Sequence, residues 1–171
     1  MPIALSALKQ ACGRSHRAAL TRTRSEAKSK RQPTAYLSYS PKDEEIARGL
    51  QVLFSENGWN VHIDWDKTNN TDIPDMRTAS SIKDKIVALD WFIFLGTPNS
   101  TGSPWLPWEL GFADGKKSQD KVIIVSTTDE AGRCYGDEYT QLYRHINQTK
   151  TGTLAVYNAG MTTGGGFLRY L

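Results

Sequence analysis

The sequence predicts an α/β domain with a doubly wound parallel sheet of five strands, and three observations predict it. Strand-like apolar runs alternate with stretches of helical periodicity along most of the chain. Two runs, Trp91-Phe92-Ile93-Phe94-Leu95 and Val122-Ile123-Ile124-Val125, are apolar without alternation, as strands covered on both faces are. Two others, at 59–64 and 154–157, alternate apolar with polar residues, as strands with one wet face do. The alternating strands are second and fifth in the chain and the two-faced ones third and fourth. This pattern matches the flavodoxin-like order 2-1-3-4-5, whose edges are strands two and five.

The elements follow in order. Residues 1–33 form a basic arm, with Lys9, Arg14, Arg17, Arg22, Arg24, Lys28, Lys30 and Arg31 against Glu26 alone. The arm thus carries +7 and the remainder −4, which gives the chain its net +3. Its composition favours a helix, with Ile3, Leu5, Leu8, Cys12 and Ala19 as a weak apolar stripe. Three readings stand: a helix packed on the domain or a neighbouring subunit, an arm for nucleic acid or an anionic membrane, and a mitochondrial transit peptide.

The domain proper spans 34–158. Strand one is Ala35-Tyr36-Leu37-Ser38-Tyr39, stopped by Ser40-Pro41. Ser40 can cap the next helix, Pro41 suits its first turn, and Asp43, Glu44 and Glu45 favour its positive end. Ile46, Leu50, Leu53 and Phe54 recur at helical spacing until Asn57-Gly58 closes it. After strand two, residues 65–77 make a long polar loop, a length usually tied to function. Ile82, Ile86 and Leu89 mark a second helix. A third is expected from a Ser103 cap, with Pro104 in its first turn, to near Gly115, and a fourth over 138–146. A glycine-rich tail, 159–171, is expected to be irregular up to a closing element at 167–171.

At 171 residues one domain can bury a core without metal or disulfide. Cys12 and Cys134 are far apart and fit reduced thiols of a cytoplasmic protein, with no metal-ligand spacing. No apolar run reaches the roughly 18–20 residues that span a bilayer, and the acidic main domain is not a nucleic-acid binder by charge. His16, His62 and His145 lie near no nucleophile motif, and the tail glycines lack the Lys-Ser/Thr of a phosphate loop.

In a doubly wound sheet the ligand sits beyond the carboxyl ends of strands one and three. That places a site near Tyr39-Ser40, Gly96-Thr97 and the loop after strand two. The strongest chemical signal nearby is Ser103-Pro104-Trp105-Leu106-Pro107-Trp108-Glu109-Leu110-Gly111. Trp105 and Glu109 share a helix face one turn apart. A fixed carboxylate there could stabilise the ribosyl cation formed when an N-glycosidic bond breaks. A pyridinium base leaves as a neutral molecule, so no general acid is required, unlike the paired carboxylates of O-glycosidases. The plain alternatives are a helix acid placed favourably in the dipole and tryptophans that only cover the core.

Tyr36 to Ser40 with Lys42-Asp43, then Val61 to Asp64, the loop, and Ser103 to Gly111 together resemble the TIR (Toll/interleukin-1 receptor) domain, in particular the bacterial stand-alone kind. The resemblance covers about residues 34–157. It implies cleavage of NAD+ as substrate to nicotinamide and ADP-ribose or a cyclic isomer, with no further cofactor, in antiviral defence. It places the catalytic acid on Glu109 and substrate contacts on Tyr39, Ser40, Asp66, Lys67 and Trp105. It implies self-association through TIR surfaces and an effector or sensor partner. Pro41 stands where some relatives carry a cation near the phosphates, leaving Lys67 or Arg77 to supply that charge. Two other functions stay open: a non-enzymatic TIR scaffold, and a nucleoside deoxyribosyltransferase-like enzyme. A phosphorylated receiver is excluded, because Gly96-Thr97-Pro98 follows strand three where an Asp would be needed.

Overall fold

In the computed structural model, which describes residues 1–14, 32–63 and 76–171, the chain opens with β1 (Ile3–Ala4) and α1 (Leu5–Gly13). The first alternation then runs β2 (Thr34–Ser38), α2 (Glu44–Glu56), β3 (Asn60–His62), α3 (Met76–Ala88), β4 (Trp91–Leu95), α4 (Trp105–Lys116) and β5 (Val122–Val125). Short strands follow: β6 (Thr127–Thr128), β7 (Cys134–Tyr135), β8 (Arg144–Gln148), β9 (Leu154–Tyr157) and β10 (Gly166–Phe167). The main sheet has the order β10-β9-β8-β5-β4-β2-β3. It is parallel from β3 to β8 and antiparallel from β8 to β10.

Both faces of the central strands are covered, as their unbroken apolar sequences require. Ala35, Leu37, Trp91, Ile93, Leu95, Ile123 and Val125 point to one face, where Ile46, Ala47, Leu50 and Phe54 of α2 and Leu8 of α1 meet them. Tyr36, Phe92, Phe94, Val122 and Ile124 point to the other, against Ile82 and Ile86 of α3 and Leu106, Leu110 and Ala113 of α4. The alternation of side chains along a strand thus divides one sheet between two cores.

The expected five-strand count and order need correction beyond β5. No helix forms over 138–146: a 3-10 turn at Asp137–Tyr139 gives way to β8, which pairs with β5. Leu142 is turned outward there, whereas His145 and Ile146 are buried. Strand β8 also satisfies backbone groups along the β5 edge that a helix could not reach. Residues 154–157 therefore pair with β8 and not with β5, and β10 covers their far side. Strand β3 is the edge that its alternation predicts.

The two chain ends are packed into this body. β1 runs parallel to β6, which pairs with β7 in a second, three-stranded sheet. Ile3 and Leu8 are fully buried in the same core as the central strands. A Cβ on Gly49 would stand 1.9 Å from the carbonyl oxygen of Leu8, so only glycine lets α1 lie this close on α2. At the other end Leu168 is buried and its carbonyl accepts the Trp59 indole N–H at 3.1 Å. Of the three readings of the arm, packing on the domain describes α1; residues 15–31 lie outside the described residues. Among the described residues no helix is long and apolar enough to cross a membrane.

His145 is buried on β8 and stacks on Tyr157 at 5.6 Å between centroids. Burial, assisted by the nearby Met1 ammonium and opposed by a backbone hydrogen bond at Tyr143, holds its pKa below the ordinary 6.5. With the folded value depressed, the unfolded chain takes up the proton first as pH falls. The contribution is complete above the unfolded pKa of about 6.5 and is lost as pH drops through the folded value. Thermal unfolding followed from about pH 7.5 to about pH 5 should show stability falling on the acid side. His145→Phe, which keeps the ring stack but cannot protonate, should flatten that slope.

Candidate functional site

The carboxyl ends of β2 and β4 emerge side by side because these strands are parallel neighbours. After β2, Tyr39 and Ser40 stay buried and Pro41–Asp43 makes one turn of 3-10 helix leading into α2. After β4, Gly96 and Thr97 turn the chain outward. A Cβ on Gly96 would stand 2.5 Å from Gly136 Cα, so the turn passes directly against the segment following β7. The Gly96 carbonyl accepts the Thr127 hydroxyl at 2.7 Å.

These two segments are tied together by Asp43, which is 7% exposed. The Thr97 hydroxyl donates to its Oδ2, and the Asn99 side-chain amide donates to its Oδ1 at 2.7 Å. Thr97 Oγ1 in turn accepts the backbone N–H groups of Asn99 and Ser100, both at 3.2 Å. The Ser100 hydroxyl accepts the Thr97 N–H at 3.0 Å and donates to the Thr97 carbonyl at 2.7 Å.

Beside this knot lies a cavity of about 270 Å³. Tyr39, Ser40, Pro41 and Lys42 form one wall; Pro98, Asn99 and the stretch from Gly102 to Leu106 form the other, with Thr78 and Ile82 of α3 between them. Its volume is just under the ~300–1,000 Å³ of small-molecule sites, and its mixture of apolar walls with a few polar groups is typical of them.

Helix α4 supplies the carboxylate. Trp105 and Leu106 in its first turn line the cavity, while Glu109, one turn on, is fully buried and is not among the lining residues. The acid therefore faces the interior behind the cavity wall and not bulk water. Trp105 is braced from outside by Trp108 at 5.5 Å in an edge-on arrangement, and Trp108 stacks on Phe112 at 6.1 Å. Lys83 Nζ of α3 sits 5.6 Å and 5.5 Å from those last two rings, a cation–π tie between the helices flanking the cavity.

Of the residues predicted from sequence, Tyr39, Ser40 and Trp105 meet at one cavity, with Glu109 a helical turn behind. Asp66 and Lys67 lie outside the described residues. Arg77 stands exposed in the first turn of α3 and does not line the cavity. Neither Ser40 nor Ser103 makes the side-chain cap expected of it, and both line the cavity instead. Pro104 stands at the N-cap of α4 and not within its first turn. Sequence reasoning passed over Lys42, Thr78 and Asn99. Lys42 and Asn99 carried a signal, being in the loops that leave strands one and three; Thr78 carried none. Among the described residues there is no group of three His, Cys, Asp or Glu side chains able to hold a metal.

The model of the TIR domain family matches residues 36–152, from the middle of β2 into the turn before β9. This chain belongs to the TIR domain family. A named relative, the probable 3' cyclic ADP-D-ribose synthase ThsB' of Bacillus cereus (strain MSX-D12), is 29% identical over 113 residues. The match covers 65% of this chain and 58% of that protein, so the chain spans a little over half of its relative's length. Within this TIR domain the fold-level rule for doubly wound sheets and the cavity agree on one location, the switch between β2 and β4.

Lys42 is the one cation among the described residues of the cavity wall, and it is exposed. A negatively charged ligand should feel it as a screened charge. Lys42→Ala should weaken binding of such a ligand about two- to fivefold at low salt, with the difference shrinking as salt rises. Titration calorimetry with ADP at two ionic strengths checks this.

Proposed function

We propose that this TIR domain cleaves NAD+ at the nicotinamide–ribose bond, with Glu109 as the essential carboxylate, releasing nicotinamide together with ADP-ribose or a cyclic isomer. The observation that carries the reading is the position of Glu109. It is a fully buried acid on the helix whose first turn walls the cavity at the carboxyl edge of the sheet. The activity in the name of the relative, synthesis of a cyclic ADP-ribose, supports the same substrate chemistry.

The step needs little else from the protein. The nicotinamide nitrogen departs with the electron pair of the C–N bond, and positive charge develops on the ribosyl C1 and ring oxygen. A carboxylate held away from water interacts with that charge more strongly than in solvent, and it does so more in the transition state than in the ground state. Capture of the cation by water gives ADP-ribose and one proton; capture by a hydroxyl of the same molecule gives a cyclic product and one proton. Tyr39, Ser40 and Trp105 line the space for the substrate, and Asp66 and Lys67 belong to the proposed binding set through the family pattern. Glu109 stands behind the wall, so contact between acid and ribose would require the Trp105 turn to yield.

The enzyme is proposed to act in the cytoplasm in antiviral defence, with self-association through TIR surfaces as its control and an effector or sensor as partner. The test is nicotinamide release from NAD+, followed by chromatography in dilute and crowded protein. The wild type should release it in at least the crowded condition, and Glu109→Gln should lower kcat by about a thousandfold or more. Absence of release in both conditions, or unchanged turnover by Glu109→Gln, rules the reading out.

A further inference from the structure

We propose that Asp43 is a positioning residue that sets the width of the substrate cavity by clasping its two walls. The inference rests on the NAD+-cleaving reading for the identity of the ligand, but its structural basis is separate from Glu109.

The clasp joins the two segments beyond the ends of the paired strands β2 and β4. Asp43 terminates the Tyr39–Lys42 wall, and Asn99 and Thr97 belong to the opposing loop. Both carboxylate oxygens accept, one from each partner, so the residue acts as a two-armed bracket. The direction of each bond is fixed by its surroundings. Thr97 Oγ1 already accepts two backbone N–H groups, which fills its lone pairs and leaves its proton to be given to Asp43. The Asn99 amide nitrogen can only donate. An acceptor is therefore required at both oxygens of residue 43, and an amide, with one accepting end and one donating end, cannot serve both partners.

Burial makes the requirement strict. At 7% exposure water cannot readily replace a lost arm of the bracket, and a donor facing a donor there pushes the walls apart. The clasp also fixes the Asn99 side chain, which lines the cavity, and the peptide run carrying Ser40, which lines it from the other side. Its effect on the substrate is consequently one of binding geometry. Glu109 lies on α4 and on neither of the two clasped segments, so the chemical step is left largely intact once substrate is bound. The same acid also sits at the start of α2, where its charge suits the helix dipole. That role alone would touch stability but neither substrate affinity nor the dependence on Thr97.

The experiment compares Asp43→Asn, Thr97→Val and Thr97→Ser with the wild type in two assays. One is steady-state nicotinamide release; the other is NAD+ affinity by calorimetry in the Glu109→Gln background, which needs no turnover. Asp43→Asn and Thr97→Val should raise KM and Kd about tenfold or more, the scale of one charge-assisted hydrogen bond, with kcat within about threefold. Thr97→Ser, which restores the hydroxyl, should bring both constants back toward wild type while Thr97→Val does not. Melting curves identify any variant that has lost the fold, and the Val/Ser pair at Thr97 then carries the test. Wild-type KM and Kd in both Asp43→Asn and Thr97→Val, or a fall in kcat alone, overturns the clasp. An inactive wild type whose NAD+ affinity still follows the Val/Ser pattern sinks the cleavage reading and keeps the clasp, whereas an absence of any NAD+ binding sinks both.

Discussion

Parallel pairing of β2 with β4 is the interaction on which the rest of this structure depends. Register sets Ser38 opposite Phe94, so the two strands end together and their following loops leave from the same sheet edge. Everything at the cavity follows from that coincidence. Tyr39 and Ser40 come from one loop, Asn99 from the other, and α4 begins where the second loop returns to the sheet. Burial of both faces holds the pairing in place, since a one-residue slip would exchange the residues of the two cores. The cavity is thus a consequence of the hydrophobic pattern and is not an addition to it.

The two cores are unequal in what they do. The face shared with α1 and α2 closes over the chain ends, taking in Ile3, Leu8 and Leu168. It is the face on which length and packing are spent, and Gly49 shows how tightly α1 is drawn down. The other face carries α3 and α4 and hence the cavity, the aromatic brace of Trp105 and Trp108, and Glu109. A carboxylate set in that core is costly as packing; in the proposed reaction the same water-poor surroundings would strengthen its pull on a developing cation.

Much of this was legible in the residues. The unbroken apolar runs of β4 and β5 announced strands covered on both faces, and Asn57-Gly58 ended α2 where Gly58 adopts a φ of 85°. The location of the cavity followed from strand order alone. What was not legible had physical causes. The run from Leu142 to Asn147 has no decisive period, and the open edge of β5 made it a strand. The first residues read as a separate arm because charge dominates their composition, while three apolar side chains, Ile3, Leu8 and Ala11, are enough to dock them. Asp43 read as a helix-dipole acid, since nothing in a sequence shows that Thr97 and Asn99, over fifty positions away, will reach both of its oxygens. Nor could helical spacing show that Trp105 would line the cavity while Glu109 sat behind it.

The proposed cleavage requires positive charge to build at the ribosyl carbon as the base departs. The most direct measurement is the secondary isotope effect from deuterium at that carbon in NAD+, read in single turnover so that product release does not mask it. A normal effect, with the deuterated substrate reacting more slowly, is the result expected of a ribosyl cation. An effect of unity with the cleavage step isolated would show that no such cation forms, and would leave the buried acid without the role assigned to it.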